Sequence, residues 1–255
     1  MKKRIVLAGI ILLAAAIALS AQSVERVSFS SMGDWVPGSG TWEVSGGRLH
    51  QNGLPAPLAR IDLRTDQSGT YEIDFTIRYV DGGFYSEEEL TDGEYHAGFG
   101  VQLGGTSPVL GGESWGVGES YLLWLNLDTR LETLRNNPEH FGFRAQVYES
   151  SSNTTMNLLS GSAVEEQIGQ PEASVNLFVA LAEYGFTEDD LLAYLGTPVN
   201  VNIRVNTNTG EVGVLDPTAP IRYYMQLDPQ VLQGDYISLR TNNLSTSYSA
   251  FSIRR

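Results

Sequence analysis

A pair of carboxylates on one predicted strand is the first feature of this sequence that could carry chemistry. Residues 71–79 alternate apolar and polar without a break, which is typical of a half-buried β-strand. Glu72 and Asp74 share its polar face, where residues two apart are roughly 6.7 Å from each other. Glycoside hydrolysis uses two carboxyl groups, one on either side of the scissile bond. The next position on this face is Thr76, whose hydroxyl has no titratable proton at neutral pH. The pair indicates either a hydrolytic site or an ordinary polar strand face.

Further polar side chains follow the same alternation on later strands. Gly98 and Gly100 lack side chains, so we expect a trough beside their larger neighbours. Aromatic rings stack on a sugar ring while amides, carboxylates and arginines bond its hydroxyls. The alternative is a solvated sheet face, because the sequence does not show that these strands are adjacent. The predicted ligand-binding face comprises Glu72, Asp74, Arg78, His96, Gln102, Trp124, Asn126, Arg144, Gln146 and Tyr148.

Ten alternating segments predict the strands that must position these residues. Turn sequences such as Gly46-Gly47 and Asn208-Thr209-Gly210 separate them. Many short strands with regular turns are typical of an antiparallel β-sandwich or jelly roll, so we predict an all-β fold. The predicted strands are Thr41–Val44, Arg48–Gln51, Tyr71–Tyr79, His96–Leu103, Tyr121–Asp128, Gly142–Glu149, Val199–Val205, Glu211–Leu215, Tyr236–Arg240 and Ser249–Arg254.

One segment interrupts this β pattern. Pro171 can begin a helix and Gly185 can end it. Thr187 then offers a hydroxyl cap to a second short helix, with acidic residues in its first turn, that stops before Pro198. We therefore predict a helical hairpin at about residues 171–196, inserted between strands. It either closes one end of the sandwich or docks a partner.

The first 21 residues are predicted to be a bacterial-style signal peptide. A charged start over residues 1–4 precedes an apolar run over residues 5–19 and small residues at Ser20 and Ala21. The run is shorter than the roughly 20 residues that span a bilayer, and cleavage after either Ser20 or Ala21 fits. We expect an exported protein, periplasmic or extracellular, whose residues 22–255 form one domain without a membrane span.

Composition excludes several classes of function. The chain has 16 basic residues, 30 acidic residues and no cysteine, a net charge of −14. Without the leader 13 basic residues remain, all of them Arg, and the net charge is −17. Schiff-base and P-loop lysine chemistry is excluded, and nucleic acid is disfavoured as a partner. No cofactor is predicted, and the acidic loop Glu87–Glu94 is either solvated or a calcium site.

Phrases at both ends of the predicted domain carry a family resemblance. They are Phe29–Trp35, then Gly40-Thr-Trp-Glu-Val-Ser-Gly-Gly-Arg-Leu49, and finally Gly234–Asn242 with Ser249–Arg254. These resemble the concanavalin A-like lectin and glucanase jelly rolls. The resemblance implies two curved sheets, paired first and last strands, and a concave sheet that often holds a glycan. In the glucanases a Glu-x-Asp-x-Glu strand supplies nucleophile, assisting Asp and acid/base; Glu72 and Asp74 match the first two, and Thr76 replaces the third.

Three hypotheses of function follow. The first is a non-catalytic exported module that binds glycan on its concave sheet. The second is a structural subunit of the cell envelope or of an appendage, which acts through protein contacts. The third is a divergent glycoside hydrolase, which the missing acid at Thr76 disfavours. The expected partner is thus a glycan or an envelope protein, and the chain is not expected to be an enzyme.

Overall fold

A computed structural model describes most of the chain beyond the predicted leader. Within that part, no helix is both long and apolar enough to cross a lipid bilayer. The predicted signal peptide and the acidic loop Glu87–Glu94 fall outside the described residues. The described residues are 23–54, 57–83, 95–106, 114–159, 164–165, 174–176, 185, 187, 190, 193, 196–215 and 222–255.

Strands dominate the described residues, as the alternating sequence predicts. One short helix, α1 (Leu131–Asn136), and a 3-10 turn at Pro138–His140 lie between two of them. The strands are β1 (Val24–Arg26), β2 (Trp35–Ser39), β3 (Trp42–Ser45), β4 (Arg48–Gln51), β5 (Ala59–Arg64), β6 (Thr70–Gly82), β7 (His96–Gly105), β8 (Glu119–Asp128), β9 (Gly142–Ser151), β10 (Met156–Leu158), β11 (Val164–Glu165), β12 (Ser174–Asn176), β13 (Val199–Asn206), β14 (Glu211–Leu215), β15 (Arg222–Gln226), β16 (Tyr236–Asn242) and β17 (Leu244–Arg254).

The strands form two antiparallel sheets. The first sheet has the order β11-β15-β14-β13-β6-β17-β4-β3, with β1 also paired to β17. The second has the order β10-β9-β8-β7-β16-β5-β2, with β12 also paired to β9. First and last strands therefore pair, with Val24 opposite Arg254. The antiparallel sandwich predicted from the sequence is confirmed.

The core lies between the two sheets, because alternate residues of each strand point inward. On β6, Tyr71, Ile73, Phe75 and Ile77 are buried and the residues between them are partly exposed. The Phe75 ring stacks on Phe251, with ring centroids 5.8 Å apart. Full burial of such a side chain contributes about 1.5–3 kcal/mol to folding stability. Burial of the inner face therefore sets the strand register, and with it the side chains that point to the outer face.

The predicted helical hairpin at 171–196 is corrected at its start. Ser174–Asn176 form strand β12, with Ser174 opposite Gln146 on β9. Strand β10 pairs with β9 only over residues 148–150. Strand β12 therefore supplies hydrogen-bond partners for backbone N–H and C=O groups that would otherwise be unpaired along the edge of β9. The predicted cap of the second helix is present, since the Thr187 hydroxyl accepts a bond of 3.2 Å from the Asp190 backbone N–H. Asp190 and Ala193 are helical, and most of the rest of the hairpin lies outside the described residues.

Candidate functional site

The ten residues of the predicted ligand-binding face lie on two outer faces of the sandwich. Glu72, Asp74 and Arg78 lie on β6 of the first sheet. The other seven lie on β7, β8 and β9 of the second sheet, and the core separates the two sets. The expectation of a single face is therefore wrong, because β6 pairs with β13 and β17 and the chain crosses to the other sheet before β7.

The two carboxylates of β6 belong to a network of hydrogen-bonded ion pairs. One guanidinium nitrogen of Arg254 lies 2.7 Å from Glu72 and 2.8 Å from Asp74. The Asn202 side chain donates to Asp74 at 2.6 Å. The hydroxyl of Thr76, at the position of the missing acid, bonds Ser249. Both carboxylates are thus engaged by protein groups rather than directed at a substrate.

The glycine trough predicted on β7 is present, and Trp124 fills it. A Cβ placed on Gly98 would come within 2.3 Å of the Trp124 ring, and one on Gly100 within 2.8 Å. The indole N–H donates to the Asn126 side chain at 3.3 Å. Trp124 is 5% exposed. It therefore forms the floor of this surface and is not an open stacking platform.

Residues 114–118 cross the outer face of the second sheet, and we call them the strap. The buried Arg240 guanidinium donates to the backbone carbonyls of Ser114 and Trp115 and, at 2.7 Å, to Gln102. The Val117 N–H donates to the Ser150 hydroxyl at 3.0 Å. Gln102 is thus a support beneath the strap, since its side chain is 1% exposed.

The strap presents an indole to the aromatic residues of β8 and β9. The ring centroid of Trp115 lies 6.4 Å from Trp124 and 6.0 Å from Tyr148, edge-on in both cases. Leu122, Trp124 and Tyr148 form a small hydrophobic cluster outside the sandwich core. Edge-to-face aromatic pairs contribute about 0.5–1.5 kcal/mol beyond their area burial, so the rings hold one another in place.

A pocket of about 240 Å³ opens beside the strap, where β7 begins and β8 ends; we call it the sheet-end pocket. Its lining has two chemical characters. Trp115, Tyr148, Met156 and Leu158 provide apolar surface, and polar groups come from His96, Asn126, Asp128, Arg130, Thr133, Asn137 and His140.

The Asp128 carboxylate organises the polar side of the sheet-end pocket. It accepts bonds from two nitrogens of the Arg130 guanidinium, at 3.0 and 2.6 Å, and from the Thr133 hydroxyl at 2.9 Å. Burial raises the pKa of Asp128, but the bonds from Arg130 and Thr133 outweigh it and the net pKa is lowered. The charges of Asp128 and Arg130 therefore neutralise each other, and the bond from Thr133 holds α1 beside the pocket.

His140 links the pocket to β9 through a second polar network. Its Nδ1 lies 2.9 Å from the Tyr148 hydroxyl and 3.1 Å from the Gln146 amide nitrogen. The Gln146 amide nitrogen can only donate, so Nδ1 of His140 accepts this bond. Burial raises the pKa of Tyr148, so its hydroxyl stays protonated. The network holds the Tyr148 ring as one wall of the pocket.

Three predicted residues line the sheet-end pocket: His96, Asn126 and Tyr148. Four others on the same sheet support it. Gln102 and Trp124 lie beneath the strap, Gln146 bonds His140, and Arg144 donates to the Phe141 carbonyl at 2.7 Å. Asp128, which follows the polar-face alternation of Trp124 and Asn126 and is a candidate on that ground, also lines the pocket. The residues missed from the sequence are Trp115, Arg130, Thr133, Asn137, His140, Met156 and Leu158. They lie in connections or on a three-residue edge strand, where alternation gives no signal.

Metal binding has no support in the described part of the chain. There, no group of three or more His, Asp or Glu side chains could hold a metal ion. The acidic loop Glu87–Glu94, predicted to be either solvated or a calcium site, lies outside the described residues.

The similarity between this chain and known proteins is one of fold. No family model and no curated protein matches the chain. Solved structures that it resembles include a Bacillus subtilis protein with a galectin-like fold, at 12% identity and a TM-score of 0.47 over 86% of this chain and 88% of that one. A legume lectin-like domain from Entamoeba histolytica has 9% identity and a TM-score of 0.47, over 86% of this chain and 88% of that one.

A carbohydrate binding module from Bacillus subtilis has 8% identity and a TM-score of 0.45, over 86% of this chain and 93% of that one. Galectin-like and lectin-like jelly rolls are the structural neighbours that the sequence phrases indicated. Because all of these TM-scores lie below 0.5, they assign neither a function nor a ligand to this chain.

Proposed function

We propose that this chain is a non-catalytic, exported binding module that holds one neutral sugar residue of a glycan in the sheet-end pocket. The observation that carries the proposal is the two-sided lining. Trp115, which is partly exposed, offers apolar surface to a sugar ring, while Asn126, Asn137 and His140 offer donors and acceptors to its hydroxyls. The proposal places the glycan on the outer face of the second sheet.

Pocket size supports a small ligand. Sites for drug-sized molecules measure roughly 300–1,000 Å³. The sheet-end pocket, at about 240 Å³, falls just below that range. It has room for a single ring with its substituents, so the ligand is one residue of a glycan, with the rest of the glycan left in solvent.

Local charge supports a neutral ligand. Arg130 is paired with Asp128 in a two-point contact, so neither charge is left for a ligand of opposite sign. The chain as a whole carries a net charge of −14, which repels polyanions. A carboxylated or sulfated sugar would therefore bind more weakly than its neutral parent.

The described carboxylates do not support a hydrolase. Asp128 is the carboxylate that lines the pocket in the described part of the chain, and Arg130 and Thr133 occupy it. Glu72 and Asp74 lie on the opposite outer face and are bound by Arg254. Hydrolysis needs two carboxyl groups flanking one bond, so binding without turnover is the function favoured.

Export is the second part of the proposal, and the predicted leader at residues 1–21 supports it. Periplasmic or extracellular recovery of a chain beginning at residue 21 or 22, identified by mass spectrometry, is the expected result. A full-length chain retained in the cytoplasm would contradict this part and would leave the binding proposal standing.

Calorimetric titration of residues 22–255 with neutral monosaccharides and short oligosaccharides tests the binding proposal. The Asn137 side chain makes no hydrogen bond within the described residues, so it is available to a ligand. Replacing it (Asn137→Ala) removes ligand hydrogen bonds worth about 0.5–1.5 kcal/mol, an expected two- to tenfold rise in Kd. The matched control is Asn208→Ala in the exposed turn after β13. Equal affinities for the two variants, or no binding by any sugar, would refute the proposal.

A further inference from the structure

We infer that the sheet-end pocket selects a sugar that bears a methyl group, either on an N-acetyl substituent or as a 6-deoxy carbon. This inference rests on the proposed function and narrows its ligand class. It is carried by an apolar wall on the outer surface of a sheet, a place where polar side chains are the norm.

Strand β10 supplies this apolar wall. Its sequence, Met156-Asn157-Leu158, alternates so that both apolar side chains lie on the same outer face as Tyr148. Leu158 is directly opposite Tyr148 in the antiparallel register. Both Met156 and Leu158 pack on the outer hydrophobic cluster while remaining partly exposed. Their exposed surface lines the pocket, so it is available to a ligand.

The polar groups lie on the other side of the same pocket. Asn126 comes from β8 and donates to the His140 carbonyl at 3.0 Å, which joins the sheet to the 3-10 turn. Asn137 lies between α1 and that turn. A sugar held by these groups through its hydroxyls would direct another substituent toward Met156 and Leu158. The pocket is thus matched to a ring that is polar on one side and apolar at one substituent.

The chemistry at this wall discriminates a methyl from a hydroxyl. A hydroxyl against Met156 and Leu158 would lose water and find only the weakly accepting sulfur of Met156 as a partner, which is unfavourable. A methyl there would be removed from water. Burial of one methyl contributes about 0.8 kcal/mol, which corresponds to about a fourfold lower Kd. Methyl-bearing sugars should therefore bind at least about fourfold more tightly than matched sugars without the methyl.

Paired titrations of residues 22–255 test this inference and separate its two sources of methyl. One arm compares N-acetylglucosamine with N-formylglucosamine, which lacks only the methyl. The other compares L-fucose with L-galactose and L-rhamnose with L-mannose, pairs that differ in a methyl against a hydroxymethyl group. At least one arm is expected to show the fourfold preference, and that arm identifies the substituent.

A substitution in the apolar wall then tests whether Met156 and Leu158 cause the preference for methyl-bearing sugars. Met156→Gln keeps side-chain length and adds an amide, so the methyl preference is expected to fall to near unity. Leu134→Gln, an equivalent change on the exposed surface of α1 outside the pocket lining, should leave the preference intact. Leu158→Gln is a second variant if Met156→Gln fails to fold.

Three results would overturn the inference. If both members of every pair bind equally, or if the preference survives in both wall variants, the ligand lacks the proposed methyl contact while the proposed function stands. If no sugar in either arm binds, the inference fails, and the proposed function fails with it when the oligosaccharides of the broader titration do not bind either.

Discussion

The imidazole of His96 is held between two opposite charges at the edge of the sheet-end pocket. It lies across the strand pair from Asp128, whose carboxylate binds Arg130. Burial, and then the Arg130 charge, lowers the pKa of His96 below its usual 6.5, while Asp128 acts in the opposite sense. His96 therefore binds a proton more weakly in the folded protein than in the unfolded chain.

This difference makes folding stability depend on pH. As the pH falls below about 6.5, His96 takes up a proton in the unfolded chain before it does so in the folded protein. The folding stability contributed by neutral His96 is therefore fully present above about pH 6.5, and it is lost as the pH falls through the lowered pKa. We expect His96→Asn to flatten the fall in unfolding free energy between pH 7 and pH 5, measured by urea denaturation. The control is His50→Asn on β4. A wild-type slope in His96→Asn would contradict the prediction.

Alternation is sufficient to predict the ten strands listed from the sequence, and the structure confirms each of them, β4 and β14 with the predicted bounds and the others with shifted ends. Strand β5 was missed, although Ala59, Ile61 and Leu63 alternate with polar residues. Its outward Arg60 and Asp62 are also buried, with the Arg60 guanidinium 3.1 Å from the Asp62 carboxylate. Burial raises the pKa of Asp62, against the opposing effect of Arg60.

The sequence predicts the pocket only in part. Alternation indicates which side chains point to an outer face, but the exposure of that face depends on which connecting segment crosses it. Trp124 occupies a polar-face position of β8, and alternation gives no sign that Trp115 of the strap lies over it. Likewise α1 and the 3-10 turn bring Asn137 and His140 to the end of β8, where Thr133 donates to Asp128 and Asn126 donates to the His140 carbonyl. Local patterns predict faces of strands, and connections determine which parts of those faces remain open.

The close contact of β7 with Trp124 gives a prediction for this element. In Gly98→Ala the new Cβ would clash with the indole, so Trp124 must move out of the trough. We expect destabilisation of about 1–3 kcal/mol and a shifted tryptophan emission spectrum. Gly105→Ala on the same strand is the control, since its Cβ would meet nothing closer than 3.3 Å. Similar unfolding free energies for the two variants would show that the trough is not filled as described.

At the scale of the whole molecule, the two outer faces are chemically independent. The network of Arg254, Glu72 and Asp74 lies on the first sheet, and the sheet-end pocket lies on the second. The hydrophobic core separates them, and no ion pair is shared between them within the described residues. A substitution on one face should therefore leave the chemistry of the other unchanged.

Glu72→Gln tests this independence and the hydrolase hypothesis together. A partly exposed ion pair contributes about 0–1 kcal/mol, so the variant is expected to fold with nearly wild-type stability. Its sugar affinity, measured by calorimetry, should equal that of the wild type, and neither protein should release reducing sugar from glycans. Hydrolysis by the wild type that disappears in Glu72→Gln would place an active site on the first sheet.

The pairing of β1 with β17 has a practical consequence for handling the protein. Residues 23 and 255 are joined by a backbone hydrogen bond of 2.9 Å, and Arg255 also donates to the Asp66 carbonyl, close to the start of β6. The other end of β6 adjoins His96, whose N–H donates to the Gly83 carbonyl. The thirteen residues of β6 span about 40 Å, so the strand separates residues 23 and 255 at one end from the sheet-end pocket at the other. Immobilisation on a sensor chip through a tag at either residue 23 or residue 255 would therefore leave the sheet-end pocket facing the flowing solution.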